Sequence, residues 1–158
     1  MYKGAWGPSI LQVLLFVLYT AWTGMSLSLT LAQYSQASVM QALVATTVLF
    51  ATMAIFALTT RINLLKYTFY IFAAVIALLV ISLLNWFVFR SATFDWWLSL
   101  IGVGLFSFST ANGVQQIVHM DRVNDPALRL RLSIVGAMIL FTNFVNIFIR
   151  ILRLMGRR

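Results

Sequence analysis

Neutral polar side chains occur at helical spacing in two apolar stretches of this 158-residue chain. Residues three or four apart share one side of an α-helix, so each group predicts one polar face. The first group consists of Asn112, Gln115, Gln116 and His119, and the second of Asn143 and Asn146. Amides in hydrocarbon need hydrogen-bond partners, and we expect the two faces to meet each other or a wet cavity. The amides then either line a path for a solute or ion, or only hold helices together.

Small residues accompany these amides. Ser109 and Gly113 are four residues apart, as are Ser133 and Ala137. Such pairs let helix backbones approach closely, and they mark contact surfaces more often than functional sites. We therefore expect close packing between the helices that carry them.

Groups that perform catalysis or bind metals are scarce. The chain has no cysteine or glutamate, one histidine and three aspartates, Asp95, Asp121 and Asp125, all at predicted helix ends or in loops. Paired-carboxylate catalysis inside a membrane is therefore excluded, and a metal site of ordinary composition is not expected. The chain also carries neither a P-loop nor a dinucleotide-binding motif. We expect a protein that is not an enzyme and needs no cofactor or metal.

Composition indicates the elements that must position these residues. Hydrophobic residues make up 62% of the chain and charged residues 9%, against about 45–50% and about 25% in soluble globular proteins. A membrane-spanning helix needs about 20 apolar residues. Charged residues bound such runs at 4–60, 67–89, 96–120 and 132–149. The first run has room for two helices, with a polar turn between them at 33–38.

These runs predict an all-α, polytopic integral membrane helix bundle with about five transmembrane helices, forming a single membrane domain over residues 1–158. Backbone groups in hydrocarbon must be satisfied within their own segment, which favours helices over barrel strands. The helices are predicted near residues 9–33, 38–60, 67–89, 96–119 and 131–155. Asn124, Asp125 and Pro126 predict a helix stop and a turn before the last helix.

The net charge of +8 comes from short basic clusters between the apolar runs. They form no continuous basic face, which argues against nucleic-acid binding, and they suit loops beside anionic lipid. If all five helices cross, one side holds a basic cluster and should be cytoplasmic. Its members are Lys3, Arg61, Lys66, Arg122, Arg129 and Arg131.

The basic residues at the end of the chain conflict with this orientation. A crossing last helix places four arginines on the opposite side, against the usual bias. They are Arg150, Arg153, Arg157 and Arg158. The last segment therefore either crosses against the bias or is re-entrant.

Short motifs follow one another along nearly the whole chain. They are Thr-Gly-Met-Ser-Leu-Ser at 23–28, Thr-Thr-Arg-Ile-Asn-Leu at 59–64, Asn-Trp-Phe at 85–87, Gly102 with Phe106, Gln115 with Ile117, and the segment 143–156. Together they resemble the Bax inhibitor-1 family, also called the transmembrane Bax inhibitor motif family. The most specific match is between 143–156 and the family's Asp-Phe-Ile-Asn-Leu-Phe helix with its Leu-Arg-x-x-Gly tail.

This resemblance carries implications for fold and activity. The family has seven helices, so this chain is expected to begin at the third and to lack the first two. The family's activity is a proton-gated calcium leak, linked to a pair of aspartates whose positions are taken here by Gly113 and Asn143. Neither side chain titrates, so the gating should be weakened or lost, whereas an asparagine oxygen can still coordinate a hard cation.

The leading hypothesis is a multipass membrane protein of the Bax inhibitor-1 type with a passive cation (calcium) leak. The alternative is a non-transporting membrane interaction protein, a modulator or client of a membrane protease or quality-control complex. A proton-coupled exporter is disfavoured because the membrane segments lack carboxylates. The expected partners are the lipid bilayer, anionic lipid at the Arg/Lys loops, calcium and another membrane protein, but no nucleic acid. The expected location is the inner membrane of a bacterial cell or an endomembrane of a eukaryotic one.

Overall fold

Five long helices make up the computed structural model, which describes residues 8–155. They are α1 (Pro8–Leu31), α2 (Gln36–Thr59), α3 (Thr68–Leu84), α4 (Ala92–Met120) and α5 (Pro126–Leu154). A 3₁₀ turn at Leu64–Tyr67 precedes α3, and a π turn at Asn85–Phe89 follows it. Counting these turns with α3, the described chain holds five helical segments long and apolar enough to cross a membrane. The predicted all-α polytopic membrane fold is confirmed.

Side-chain caps determine where α2, α4 and α5 begin. Ser35 accepts a hydrogen bond from the Ser38 backbone N–H at the start of α2, and Ser91 accepts one from the Phe94 N–H at the start of α4. Asp125 accepts one from the Ala127 N–H at the start of α5. These contacts satisfy backbone donors that a helix start leaves without an intrahelical partner.

The start of α5 differs from the expectation. Residues 121–125 do form the turn, but Asp125 caps α5 and Pro126 is its first residue, so the helix begins at 126 instead of near 131. Proline suits the first helical position because its missing N–H would have no intrahelical partner there. The charge-free run placed the start too late because α5 continues past the apolar stretch and carries Arg129 and Arg131 in its first turns.

Asn85 holds the short connection between α3 and α4. Its side chain donates to the Ser91 carbonyl and accepts from the Ser91 N–H, both at 3.3 Å, and its own carbonyl accepts from the Arg90 N–H. Arg90 adopts a left-handed conformation, with φ of 47°, which turns the chain sharply. The hydrogen bonds of Asn85 hold the turn around this unfavourable backbone conformation.

Helix α4 lies at the centre of the bundle and packs against α2, α3 and α5. Its contact with α5 is antiparallel along nearly the full length of both helices. Asp95 pairs with Arg153 at one end, and at the other a Cβ on Gly136 would overlap Ile117. The polar residues of α4 and α5 therefore lie in the best-buried part of the fold.

Helix α1 packs on the outer side of α5. The rings of Phe16 and Tyr19 meet Phe141 edge to face, and the Tyr19 hydroxyl lies 2.7 Å from Thr142 Oγ1. The rest of the α1 surface is open and apolar, with Leu18, Trp22 and Leu29 among its exposed side chains. A surface of this composition is stable only against lipid or another apolar partner.

The last segment has the geometry of a crossing helix. Within the described chain, α5 is one uninterrupted helix that runs antiparallel to α4 from 126 to 154. A re-entrant segment would have to reverse within this range. The structure therefore favours the first of the two alternatives.

Topology can be tested with reporter fusions after residues 34, 63, 91 and 123 and at the C-terminus. Because successive helices alternate in direction, we expect positions 63 and 123 to report the cytoplasmic side. Positions 34 and 91 and the C-terminus should report the opposite side. Opposite readings at 63 and 123 would contradict the five-helix arrangement, and a cytoplasmic C-terminus would contradict a crossing α5.

Candidate functional site

Gln115, in the last turns of α4, holds the connection between α2 and α3. Its side-chain carbonyl accepts a hydrogen bond of 2.8 Å from the Leu64 N–H, and its amide nitrogen donates to the carbonyls of Ile62 (3.0 Å) and Ala57 (3.3 Å). These backbone groups lie where the chain leaves one helix and enters the next, and so need partners from elsewhere. One amide side chain supplies them from a neighbouring helix.

Asn112 acts one turn earlier along α4. Its amide donates to the Leu64 carbonyl at 2.7 Å and lies 3.1 Å from Thr68 Oγ1. Gln116 then donates to the side-chain oxygen of Asn112. These three amides of α4 therefore form one network directed at residues 57–68.

His119 lies at the exposed edge of this network. Its Nδ1 is 3.1 Å from the Gln115 carbonyl, and its ring borders a cavity of about 330 Å³. Arg61 and Asn63 also line this cavity. It lies at the end of the bundle expected to face the cytoplasm.

Gly113 and Asn143 both lie in the α4–α5 interface. The Asn143 side chain is 4% exposed; its amide nitrogen donates to Ser109 Oγ at 3.1 Å, and its oxygen lies 3.3 Å from the same hydroxyl. A Cβ on Gly113 would meet the side chains of Leu140 and Ile139 at 3.3 and 3.4 Å. The two positions are thus offset by about one helical turn across a single contact.

The two polar faces, expected to meet each other or a wet cavity, do not meet each other; Gln115 and His119 instead line the cavity at the end of α4. The α4 amides point to residues 57–68, Asn143 bonds Ser109, and the amide of half-buried Asn146 donates to the Thr142 carbonyl of its own helix at 2.8 Å. Spacing correctly groups residues on a side of a helix, but it does not tell which neighbour that side meets. Here the α4 amides bond backbone N–H and C=O groups of the α2–α3 connection, where the chain leaves one helix and enters the next.

Arg150 is a buried residue of the interface that sequence reasoning missed. It belongs to the basic cluster at the end of the chain, yet only 6% of it is exposed. Its Nη1 donates to the Leu98 carbonyl at 3.1 Å, and its Cζ lies 5.3 Å from the centre of the Phe106 ring. A signal existed: Arg150 is four residues after Asn146 and seven after Asn143, on the same helical face.

Arg153 is also paired, at 3.4 Å from Asp95 at the start of α4. Two of the four arginines that conflicted with the charge bias therefore have partners on α4. Arg157 and Arg158, like Lys3 at the other end, lie outside the described residues.

Across residues 8–155, no cluster of three or more histidine, aspartate or other usual ligands could hold a metal ion. The site consists of neutral amides and hydroxyls, one buried guanidinium and one peripheral ion pair. Such groups can bind backbone, water or ions through oxygen and N–H groups. Proton transfer at the centre of the α4–α5 contact has no carboxylate to act through, since the three aspartates lie at 95, 121 and 125.

Comparison with known proteins finds similarity along nearly the whole chain. A family model described as "Inhibitor of apoptosis-promoting Bax1" matches residues 3–158. An uncharacterized protein of Borreliella burgdorferi is 34% identical over 146 residues, covering 91% of this chain and 62% of that protein. The inner membrane protein YbhL of Escherichia coli K12 is 32% identical over 148 residues, covering 92% of this chain and 63% of that protein.

A third relative, an uncharacterized membrane protein of Streptococcus pyogenes serotype M6, is 30% identical over 150 residues, covering 95% of this chain and 64% of that protein. The chain thus spans a little over three fifths of the length of these curated relatives.

The role of Gln115 can be tested by replacing it with leucine. The Leu64 N–H and two carbonyls then lose their partner inside the bundle, and we expect a loss of about 1–3 kcal/mol in stability. Asn146→Leu is the matched control, because its amide bonds only a carbonyl of its own helix; its effect should stay within about 0.5 kcal/mol. Thermal unfolding in detergent measures both variants. Equal shifts would mean that the Gln115 contacts do not hold the connection.

Proposed function

Because the chain belongs to the Bax inhibitor family, whose model spans residues 3–158, we propose that it is a non-enzymatic inner-membrane protein mediating a passive cation leak that protons do not gate. The observation that carries the proposal is the position of Gly113 and Asn143. They lie in one buried contact between α4 and α5, and Asn143 is hydrogen-bonded to the Ser109 hydroxyl. In the resembling family the corresponding positions hold the aspartate pair.

The ion we propose is calcium, as in the resembling family. Calcium binds through oxygen ligands, and amide and backbone carbonyls are among those that proteins use. Asn143 and Ser109 offer such oxygens in the interface, and Asn112, Gln115 and Gln116 offer them nearer the α2–α3 connection. His119 borders the cavity at the cytoplasmic end, and Asn146 follows Asn143 by one turn of α5.

Absence of a titrating pair accounts for the loss of gating. Two facing carboxylates share a proton because like charges close together are unfavourable, and the pair then responds to pH as a unit. A glycine and an asparagine have no such response. The helices packed against this contact, α1, α2 and α3, carry no charged residue. The charged or basic side chains of the other two helices are Asp95 and His119 on α4 and Arg129, Arg131, Arg150 and Arg153 on α5.

The end of the bundle where basic residues gather indicates which side of the membrane it faces and which lipids it contacts. Arg61 and Lys66 in the α2–α3 connection lie at the same end as Arg122, Arg129 and Arg131. We propose that this end faces the cytoplasm and contacts anionic lipid headgroups there.

A second candidate is a non-transporting membrane interaction protein, a modulator or client of a membrane protease or quality-control complex. The observation in its favour is that the amides of α4 already have partners: Gln115 bonds three backbone groups, and Asn112 bonds the Leu64 carbonyl and the side chains of Thr68 and Gln116. Engaged amides stabilise a fold but offer fewer free ligands to an ion. A calcium-influx measurement in liposomes discriminates between the two candidates.

The pH response is tested by restoring carboxylates at both positions. Calcium influx through the parent protein should be nearly flat between about pH 6 and 8, because the α4–α5 contact carries no group that titrates there. Gly113→Asp with Asn143→Asp should give an influx that rises with pH, since the pair holds a shared proton at lower pH and becomes a cation-attracting dianion at higher pH. Either single variant should respond less.

The measurement uses calcium-indicator liposomes in a His119→Gln background, which removes the single histidine of the chain. A new Cβ at residue 113 would lie 3.3 Å from Leu140 Cδ2 and 3.4 Å from Ile139 Cγ2, so the Leu140 methyl group must move by a few tenths of an ångström to accept it. A folded double variant that keeps the parent's flat profile would show that the two positions do not act as a pair.

A further inference from the structure

The guanidinium of Arg150 occupies a space that exists because residue 102 is glycine. A Cβ at this position would overlap Cδ, Nε and Cζ of Arg150. Phe106, one turn further along α4, presents its ring to the guanidinium, and the Leu98 carbonyl accepts its hydrogen bond. These three residues of α4 form a seat for one charged side chain between the two helices.

The charge of Arg150 is not cancelled in this seat. A guanidinium has five N–H donors, and within residues 8–155 Arg150 makes one hydrogen bond, to a backbone carbonyl. The carboxylate that acts on it, Asp95, is paired with Arg153. One carboxylate shared by two arginines leaves one net positive charge at this end of the interface.

A second polar group beside the seat also lacks a partner. Ser99 lies one turn before Gly102 on α4 and is completely buried. Its hydroxyl makes no hydrogen bond within the described chain. Ser99, Gly102 and Phe106 share one helical face by their spacing. At this level of the interface, the Ser99 hydroxyl and the Arg150 guanidinium therefore have more hydrogen-bonding capacity than the described chain satisfies.

Arg150 stands on the route proposed for the ion. It is seven residues after Asn143 on the same face of α5, about 10 Å along the helix. A cation that passes the Ser109–Asn143 contact and continues between α4 and α5 towards Asp95 must pass the guanidinium. In surroundings of low dielectric constant, the repulsion between like charges is much stronger than in water, and it doubles for a divalent ion.

We infer that Arg150, seated on Gly102, is the charge barrier of the α4–α5 interface: it restrains cation passage and disfavours divalent more than monovalent cations. This inference rests on the proposed leak. The barrier is fixed, because a guanidinium stays charged over the whole physiological pH range.

The test measures calcium and potassium influx separately, in indicator-loaded liposomes containing the full chain. Arg150→Gln keeps a donor for the Leu98 carbonyl but removes the charge, and should raise calcium influx about tenfold or more, with a smaller rise for potassium. Arg150→Lys keeps the charge and should remain close to the parent. Arg90→Gln is the matched control; it removes the same charge from an exposed side chain in the turn before α4 and should change either influx by less than about twofold.

A second variant displaces the charge without deleting it. Gly102→Ala places a methyl group that overlaps the present positions of Cδ, Nε and Cζ of Arg150, so the guanidinium must shift away from this part of α4, and calcium influx should rise here too. If Arg150→Gln does not fold, as judged by circular dichroism and by its elution in detergent from a size-exclusion column, Gly102→Ala tests whether the Arg150 charge restrains calcium influx.

The outcomes separate the barrier from the leak. If the parent conducts calcium and neither Arg150→Gln nor Gly102→Ala increases it, the barrier is wrong and the leak stands. If the parent is silent and Arg150→Gln conducts, the barrier holds and the leak of the unmodified chain is wrong. If the parent and all folded variants show no calcium influx, both the leak and the charge barrier are wrong.

Discussion

A buried peptide group needs a hydrogen-bond partner, so every peptide group that leaves a helix inside the bundle must be satisfied by another part of the chain. The connection between α2 and α3 meets this constraint through α4. Gln115 bonds the Leu64 N–H and the carbonyls of Ala57 and Ile62, and Asn112 bonds the Leu64 carbonyl. These contacts fix the rotation of α4 about its axis. Once that rotation is fixed, the face bearing Ser109 and Gly113 is turned towards α5, and the polar interface follows.

The last two arginines of α5, like the buried amides of α4, obtain their hydrogen-bond partners from another part of the chain. A buried ion is unfavourable unless it is paired or bonded, and the two arginines of α5 at residues 150 and 153 depend on α4 for this. Asp95 pairs with Arg153 at the periphery, whereas the Leu98 carbonyl and the Phe106 ring receive Arg150 in the interior. A crossing α5 is thus compatible with arginines at its end, because their charges are tied to the bundle.

The interface between α4 and α5 combines close packing with polarity. Glycines at 102, 113 and 136 let side chains of the opposite helix approach the backbone, and the Ser109–Asn143 pair supplies a neutral hydrogen bond at the centre. The Ser109 and Asn143 side chains are neutral and stay so as pH changes, so the charge at the centre of the interface does not depend on pH. The buried guanidinium of Arg150 lies in this interface, whereas the amides of Asn112 and Gln115 face the α2–α3 connection. The α4–α5 interface is therefore where the proposed leak and the proposed charge barrier can both be tested.

Sequence alone determined that the chain is a bundle of about five membrane helices, because a bilayer imposes a minimum apolar length and charges mark where each run ends. It also determined which polar residues share a helical face, because the helical period is fixed. It placed the start of α5 too late, and it could not tell that the α4 amides meet residues 57–68 instead of α5. It also left Arg150 among the basic residues of the chain end. Only the tertiary structure decided these points, since the partner of a buried polar group depends on how each helix is rotated and which neighbour has unsatisfied backbone groups, and neither is encoded in local spacing.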